Sequence, residues 1–146
     1  MRARVLAAAF AILFCVAAPS RAQQPGFVIV VNTANPVKTV TVVELRRMFM
    51  KQSRMWPHAE PVVPVDWDAT SDIRQEFSQQ VLNRSVREMA DFWVQQSMTQ
   101  GLNPPSTQRS AKAVLRFVAS VPGAVSYVRP ADVDDTVKVV KVTGLK

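Results

Sequence analysis

The chain has 146 residues, 48% of them hydrophobic and 20% charged, with a formal net charge of +7. That length suits one domain with enough apolar residues for a core. It excludes a multidomain enzyme, and the mixed composition excludes wholesale disorder.

Residues 1–22 read as a cleaved secretory signal, leaving residues 23–146 as one α/β domain. Arg2 and Arg4 make a positive start, Val5 to Ala18 is an apolar run, Pro19 breaks it, and Ser20-Arg21-Ala22 places small residues where a signal peptidase reads them. The run is about 14 residues, short of the roughly 20 that span a bilayer, so no membrane span is expected after cleavage. Phe14 before Cys15 is too bulky for a lipoprotein site. Arg2, Arg4 and Arg21 leave with the signal, so 15 basic residues face 11 acidic ones and the charge falls to +4. The only cysteine leaves too, which removes disulfides and thiol chemistry. The basic residues that stay are interleaved with acids and lack stacking aromatics between them, so no nucleic-acid partner is expected.

Gln23 to Gly26 reads as a short flexible lead. Phe27-Val28-Ile29-Val30-Val31 is a continuous β-branched run, the pattern of a strand buried on both faces. A polar loop from Asn32 to Pro36 ends it. Thr41 and Glu44 have capping-box spacing, Val40 and Leu45 suit a hydrophobic staple, and Leu45, Met48 and Phe49 share one face of a helix ending near Lys51. Pro61 to Val65 reads as a second strand, at an edge or with its prolines where no amide is needed.

Asp66 to Ser71 is a strand-to-helix loop. Ser71 is placed to cap a helix burying Ile73, Phe77, Val81 and Leu82. Ser85 and Glu88 form a second capping box before Met89, Phe92 and Trp93. After the turn-rich Gly101 to Pro105, a helix over about 108–120 buries Val114, Phe117 and Val118, and Pro122-Gly123 stops it. Ala124 to Val128 and Thr136 to Val142 complete the strands, the last of them expected at an edge. About four strands and four helices result: a single three-layer α/β lobe, its small mixed sheet flanked by helices.

This order, with the Thr-x-x-Glu-Leu helix, the Lys51–Trp56 loop and Pro122-Gly123-Ala124-Val125-Ser126-Tyr127-Val128, resembles one lobe of the periplasmic phosphate-binding proteins of ABC transporters. These have the type II periplasmic binding protein fold. The resemblance covers residues 27–130 and implies a non-catalytic, periplasmic, substrate-binding role, with a small anion or polar solute as ligand and an ABC transporter or another periplasmic protein as partner. Full members have two lobes, in roughly twice this length. Their anion-gripping loop carries an Arg and a Ser-Gly-Thr run, where this chain has Asp66-Trp67-Asp68-Ala69-Thr70-Ser71-Asp72.

The residues themselves offer little chemistry beyond binding. His58 stands alone in a loop beside Pro57. Asp66, Asp68 and Asp72 suit capping and solvation better than a metal site, so no catalytic residue, metal or cofactor is expected. Ligand-binding candidates are Thr70, Ser71 and Arg74, with Asn32 and Thr33, because open α/β sheets bind ligands at strand carboxyl ends beside helix N-termini. The crowded aspartates oppose a phosphate there. The alternative is an interaction module that kept the fold and lost its ligand. A one-lobe site would be open, so binding on the order of millimolar is expected, with Trp67 anchoring whatever covers it.

Overall fold

The computed structural model describes residues 25–145, and the expected signal segment lies outside them. The β-branched run forms β1, Val28–Asn32, at the centre of a six-stranded sheet. The other strands are β2 (Thr39–Thr41), β3 (Val63–Trp67), β4 (Ser106–Gln108), β5 (Ala124–Val128) and β6 (Val137–Thr143), ordered β2-β6-β1-β5-β3-β4. β1 runs antiparallel to β5 and β6, whereas β3 is parallel to β4 and β5, and β2 is parallel to β6.

Four helices cover the sheet: α1 (Val42–Phe49), α2 (Asp72–Phe77) with a π-helical turn over Ser78–Leu82, α3 (Val86–Gln100) and α4 (Ala111–Ser120). Both expected capping boxes are present, Thr41 with Glu44 and Ser85 with Glu88. Each glutamate accepts its N-cap backbone N–H, which holds both carboxyls below their ordinary range. Side chains alternate across a strand, so Asn32 and Tyr127 face opposite sides. Asn32 reaches the α4 carbonyls of Val118 and Ala119, while Tyr127 packs on Phe49 of α1 and Phe77 of α2. Helices thus lie on both faces, and the three-layer α/β expectation holds.

Two expectations need correction, the edge position of β6 and the flexibility of Gly26. β6 is interior, between β2 and β1, because Val40 and its neighbours form an additional strand outside it. β3 is interior too. Val63 N–H bonds Gly123 C=O towards β5, so the next position, Pro64, turns its nitrogen towards β4, whose pairing starts only at Val65. The short strand β4 carries no strand signal in its sequence, since Ser106-Thr107-Gln108 is polar and has no buried face to mark it. Gly26, expected to be flexible, is held: its N–H donates to Glu76 Oε1 (2.6 Å), and its C=O accepts from Arg129 (2.7 Å).

Gly123 explains why the Pro-Gly stop works. A Cβ there would lie 1.8 Å from the Pro61 carbonyl oxygen, so only glycine lets these two backbones meet. Its own C=O accepts from Trp56 Nε1 (3.0 Å) and Val63 N–H (2.9 Å). Gly123→Ala should therefore lower unfolding free energy by about 2 to 3 kcal/mol, an overpacking cost. Urea denaturation measures it, and a change below about 0.5 kcal/mol would show that the contact yields freely.

Candidate functional site

β3 ends by sending successive residues to different tasks. Asp66 is buried on the α2 side and Trp67 is 8% exposed. Asp68 then leaves the sheet, its N–H still bonded to Gln108 C=O of β4 (2.9 Å). Asp68 builds the turn that follows. Its Oδ1 accepts from Thr70 N–H (3.0 Å) and Thr70 Oγ1 (2.7 Å), and its C=O accepts from Ser71 N–H (3.0 Å). The Thr70 hydroxyl, more than any other neighbour, holds the Asp68 carboxyl below its ordinary range. Ser71 occupies the N-cap position of α2 but makes no side-chain cap bond, and among the described residues its hydroxyl has no hydrogen-bond partner.

The parallel β3–β4 register puts Gln108 beside Trp67, and hence Arg109 beside Asp68. Arg109 Nε lies 3.5 Å from Asp68 Oδ2, on a side chain 89% exposed. Asp68, Thr70, Ser71 and Arg109 line an open depression of about 460 Å³ at the carboxyl ends of both strands. It holds two hydroxyls, one cation and one carboxylate, a set that can hydrogen-bond a small polar solute.

A buried polar cluster underlies this surface. Asp66 Oδ2 is ion-paired with Arg74 Nη1, and both residues are buried. Asp66 Oδ1 accepts from Tyr127 Oη (2.5 Å) and from Trp67 N–H (2.8 Å). Burial pushes the Asp66 carboxyl up, and the Arg74 guanidinium pulls it back. Burial, followed by the Asp66 charge, raises the Tyr127 phenol. The Tyr127 ring stacks on Phe77, with centroids 3.8 Å apart and planes within 3°.

The candidate residues therefore separate. Thr70 and Ser71 share the depression, while Arg74 turns away beneath it to Asp66. Asn32 and Thr33 lie at the opposite end of the sheet. Because β1 is antiparallel to β5, and β3 parallel to it, the carboxyl end of β1 meets the amino end of β3, about 13 Å from Trp67. Asn32 is also committed: Nδ2 donates to Val118 C=O (2.9 Å) and Ala119 C=O (3.0 Å), and Oδ1 accepts from Ala34 N–H (2.9 Å). Thr33 is exposed in the turn. The buried Trp67 donates Nε1–H to Tyr127 C=O (2.7 Å), so it belongs to the core and cannot anchor a covering partner. Arg109 was missed because only its adjacency to the unread strand β4 brings it here.

His58 is exposed and stacks on buried Trp56, with ring centroids 6.2 Å apart. Among the described residues there is no group of three or more His, Cys, Asp or Glu placed to hold a metal ion. No described helix is long and apolar enough to cross a membrane.

No family model matches the chain, and no curated protein matches it. Solved structures do. An ABC-type phosphate transport receptor from Vibrio cholerae superposes with a TM-score of 0.66 at 21% identity, over 83% of this chain and 47% of that one. A Clostridium perfringens protein assigned as a phosphate ABC transporter substrate-binding protein, solved with bound phosphate, gives 0.65 at 22%, over 83% and 46%. PstS from Borrelia burgdorferi gives 0.64 at 10%, over 83% and 48%. The chain thus spans less than half the length of each of these proteins. It has the fold of about half of each, the periplasmic-binding-protein-like lobe that the resemblance implied.

Proposed function

We propose that this protein is an exported, non-catalytic, solute-binding protein that takes up a small oxyanion or polar solute at the depression between Asp68, Thr70, Ser71 and Arg109. The observation that carries the reading is the joint carboxyl end of the parallel strands β3 and β4, where open α/β sheets bind ligands. There the structure offers an uncommitted Ser71 hydroxyl and an exposed Arg109 guanidinium. The solved neighbours are named as phosphate receptors, which supports phosphate as the first ligand to test and an ABC transporter as the partner. The signal-like residues 1–22 support delivery to the periplasm.

An anion must draw Arg109 away from Asp68 and tolerate that carboxylate nearby, so binding on the order of millimolar is expected from an open site. Calorimetric titration with phosphate and sulfate tests it. Arg109→Ala and Ser71→Ala should each weaken binding. Asp68→Asn should strengthen it about three- to fivefold, because Asn keeps an oxygen for Thr70 while the repelling charge is gone. Absence of any oxyanion response in both the parent and Asp68→Asn would defeat the proposal and leave the interaction-module reading standing.

A further inference from the structure

Both neighbours of β1 in the sheet, β5 and β6, run antiparallel to it, so β5 ends beside the start of β1 and β6 begins beside its end. The connection between them, residues 129–136, must therefore travel the length of the sheet. It passes beside α4, and helix and connection together line an open groove of about 610 Å³. α4 contributes Lys112 and Arg116, which are four positions apart and so share one side of the helix. The connection contributes Asp132 and Asp134. Leu115, 7% exposed, gives the groove an apolar strip together with Ala111 and Ala119.

Charges of opposite sign line this groove without meeting. Among the described residues the ion pairs are Arg74 with Asp66, Arg109 with Asp68 and Arg129 with Glu76, so none joins Lys112 or Arg116 to Asp132 or Asp134. Asp134 is held in place by its own turn, since Oδ1 accepts from the Thr136 N–H (3.0 Å) and from the Thr136 hydroxyl. Two cations and two carboxylates cancel. A simple anion drawn to the helix wall is repelled by the connection, and a simple cation meets the reverse. A molecule that carries both an ammonium and a carboxylate is attracted at both walls, and an aliphatic body between them covers Leu115. An apolar strip flanked by a few charged groups, in a volume of several hundred Å³, suits a small molecule.

We infer that the groove between α4 and the 129–136 connection is a second binding site, for a small zwitterion with an aliphatic body, of the α-amino acid class. Lys112 and Arg116 take the carboxylate, and Asp132 and Asp134 take the ammonium. The site is separate from the polar depression, since no residue lines both.

Three related probes test this: L-leucine, 4-methylpentanoate, which lacks the ammonium, and isopentylamine, which lacks the carboxylate. Each is titrated into the isotope-labelled protein while backbone amide shifts are followed. Leucine should shift the amides of Ala111 to Ser120 and of Asp132 to Thr136 saturably. It should bind about three- to fivefold more tightly than either analogue, the upper end of what one exposed charge contact supplies. High salt should shrink that advantage. The variants lie at exposed positions, so folding should survive them. Lys112→Gln/Arg116→Gln should bring leucine down to the level of isopentylamine, and Asp132→Asn should bring it towards 4-methylpentanoate. The inference is overturned if no probe shifts these amides, if either analogue binds as tightly as leucine, or if the leucine advantage survives both variants. Leucine shifts confined to Asp68 to Ser71 would also overturn it, by assigning the zwitterion to the polar depression.

Discussion

Asp66→Ala should lower the unfolding free energy by about 3 to 5 kcal/mol and the melting temperature by roughly 10 to 20 °C. The carboxylate is the acceptor for three donors at once: Arg74 Nη1, Tyr127 Oη and Trp67 N–H. Removing it strands a guanidinium that is 7% exposed and leaves the Tyr127 hydroxyl without its acceptor. An uncompensated buried charge costs far more than the pair itself contributes. The double variant Asp66→Ala/Arg74→Met should therefore recover a large part of the loss, because it removes the stranded charge as well. Thermal and urea unfolding of the parent, the single and the double variants decide the matter. If the single variant lost less than about 1 kcal/mol, solvent would have to reach the pair.

Trp67→Ala is expected to be comparably severe, at about 3 to 5 kcal/mol, with no change in association state. The residue loses its large packing area, and Tyr127 C=O loses the indole N–H at 2.7 Å. Trp67→Phe separates the two contributions: most of the ring packing stays, so the remaining loss should be near the 1 kcal/mol of a single buried hydrogen bond. Size-exclusion chromatography beside thermal melting distinguishes a core residue from an interface anchor. A dimer or complex lost in Trp67→Ala while melting stays unchanged would restore the anchor role.

The same two adjacent residues show where reading a sequence succeeds and where it stops. Capping boxes, helix stops and apolar periodicity are local, and they lie within a few residues of chain. Thr41 with Glu44, Ser85 with Glu88, the inward stripe Ile73, Phe77, Val81 and Leu82, the β-branched run of β1, and β5 after its Pro-Gly stop were legible for that reason. The α/β class followed from their order, and the resemblance carried by Pro122 to Val128 pointed to the lobe that the solved neighbours share.

What tertiary structure alone decided is strand direction and side-chain partnership. The sequence by itself determined that Asn32 ends one strand and that Thr70 and Ser71 follow another. Only the antiparallel pairing of β1 with β5 put them at opposite ends of the sheet. It likewise determined that Arg74 sits early in α2 among aspartates, but a charge near a helix start can face solvent or core with equal local logic. The choice came from Tyr127, 61 positions from Asp66, whose hydroxyl helps solvate the Asp66 carboxylate and so lets Arg74 be buried beside it. Arg109 entered the site through β4, three polar residues whose strand conformation exists because β3 offers them an edge. Long-range hydrogen bonds carry no local periodicity, so the site they assemble appears only once the chain is folded.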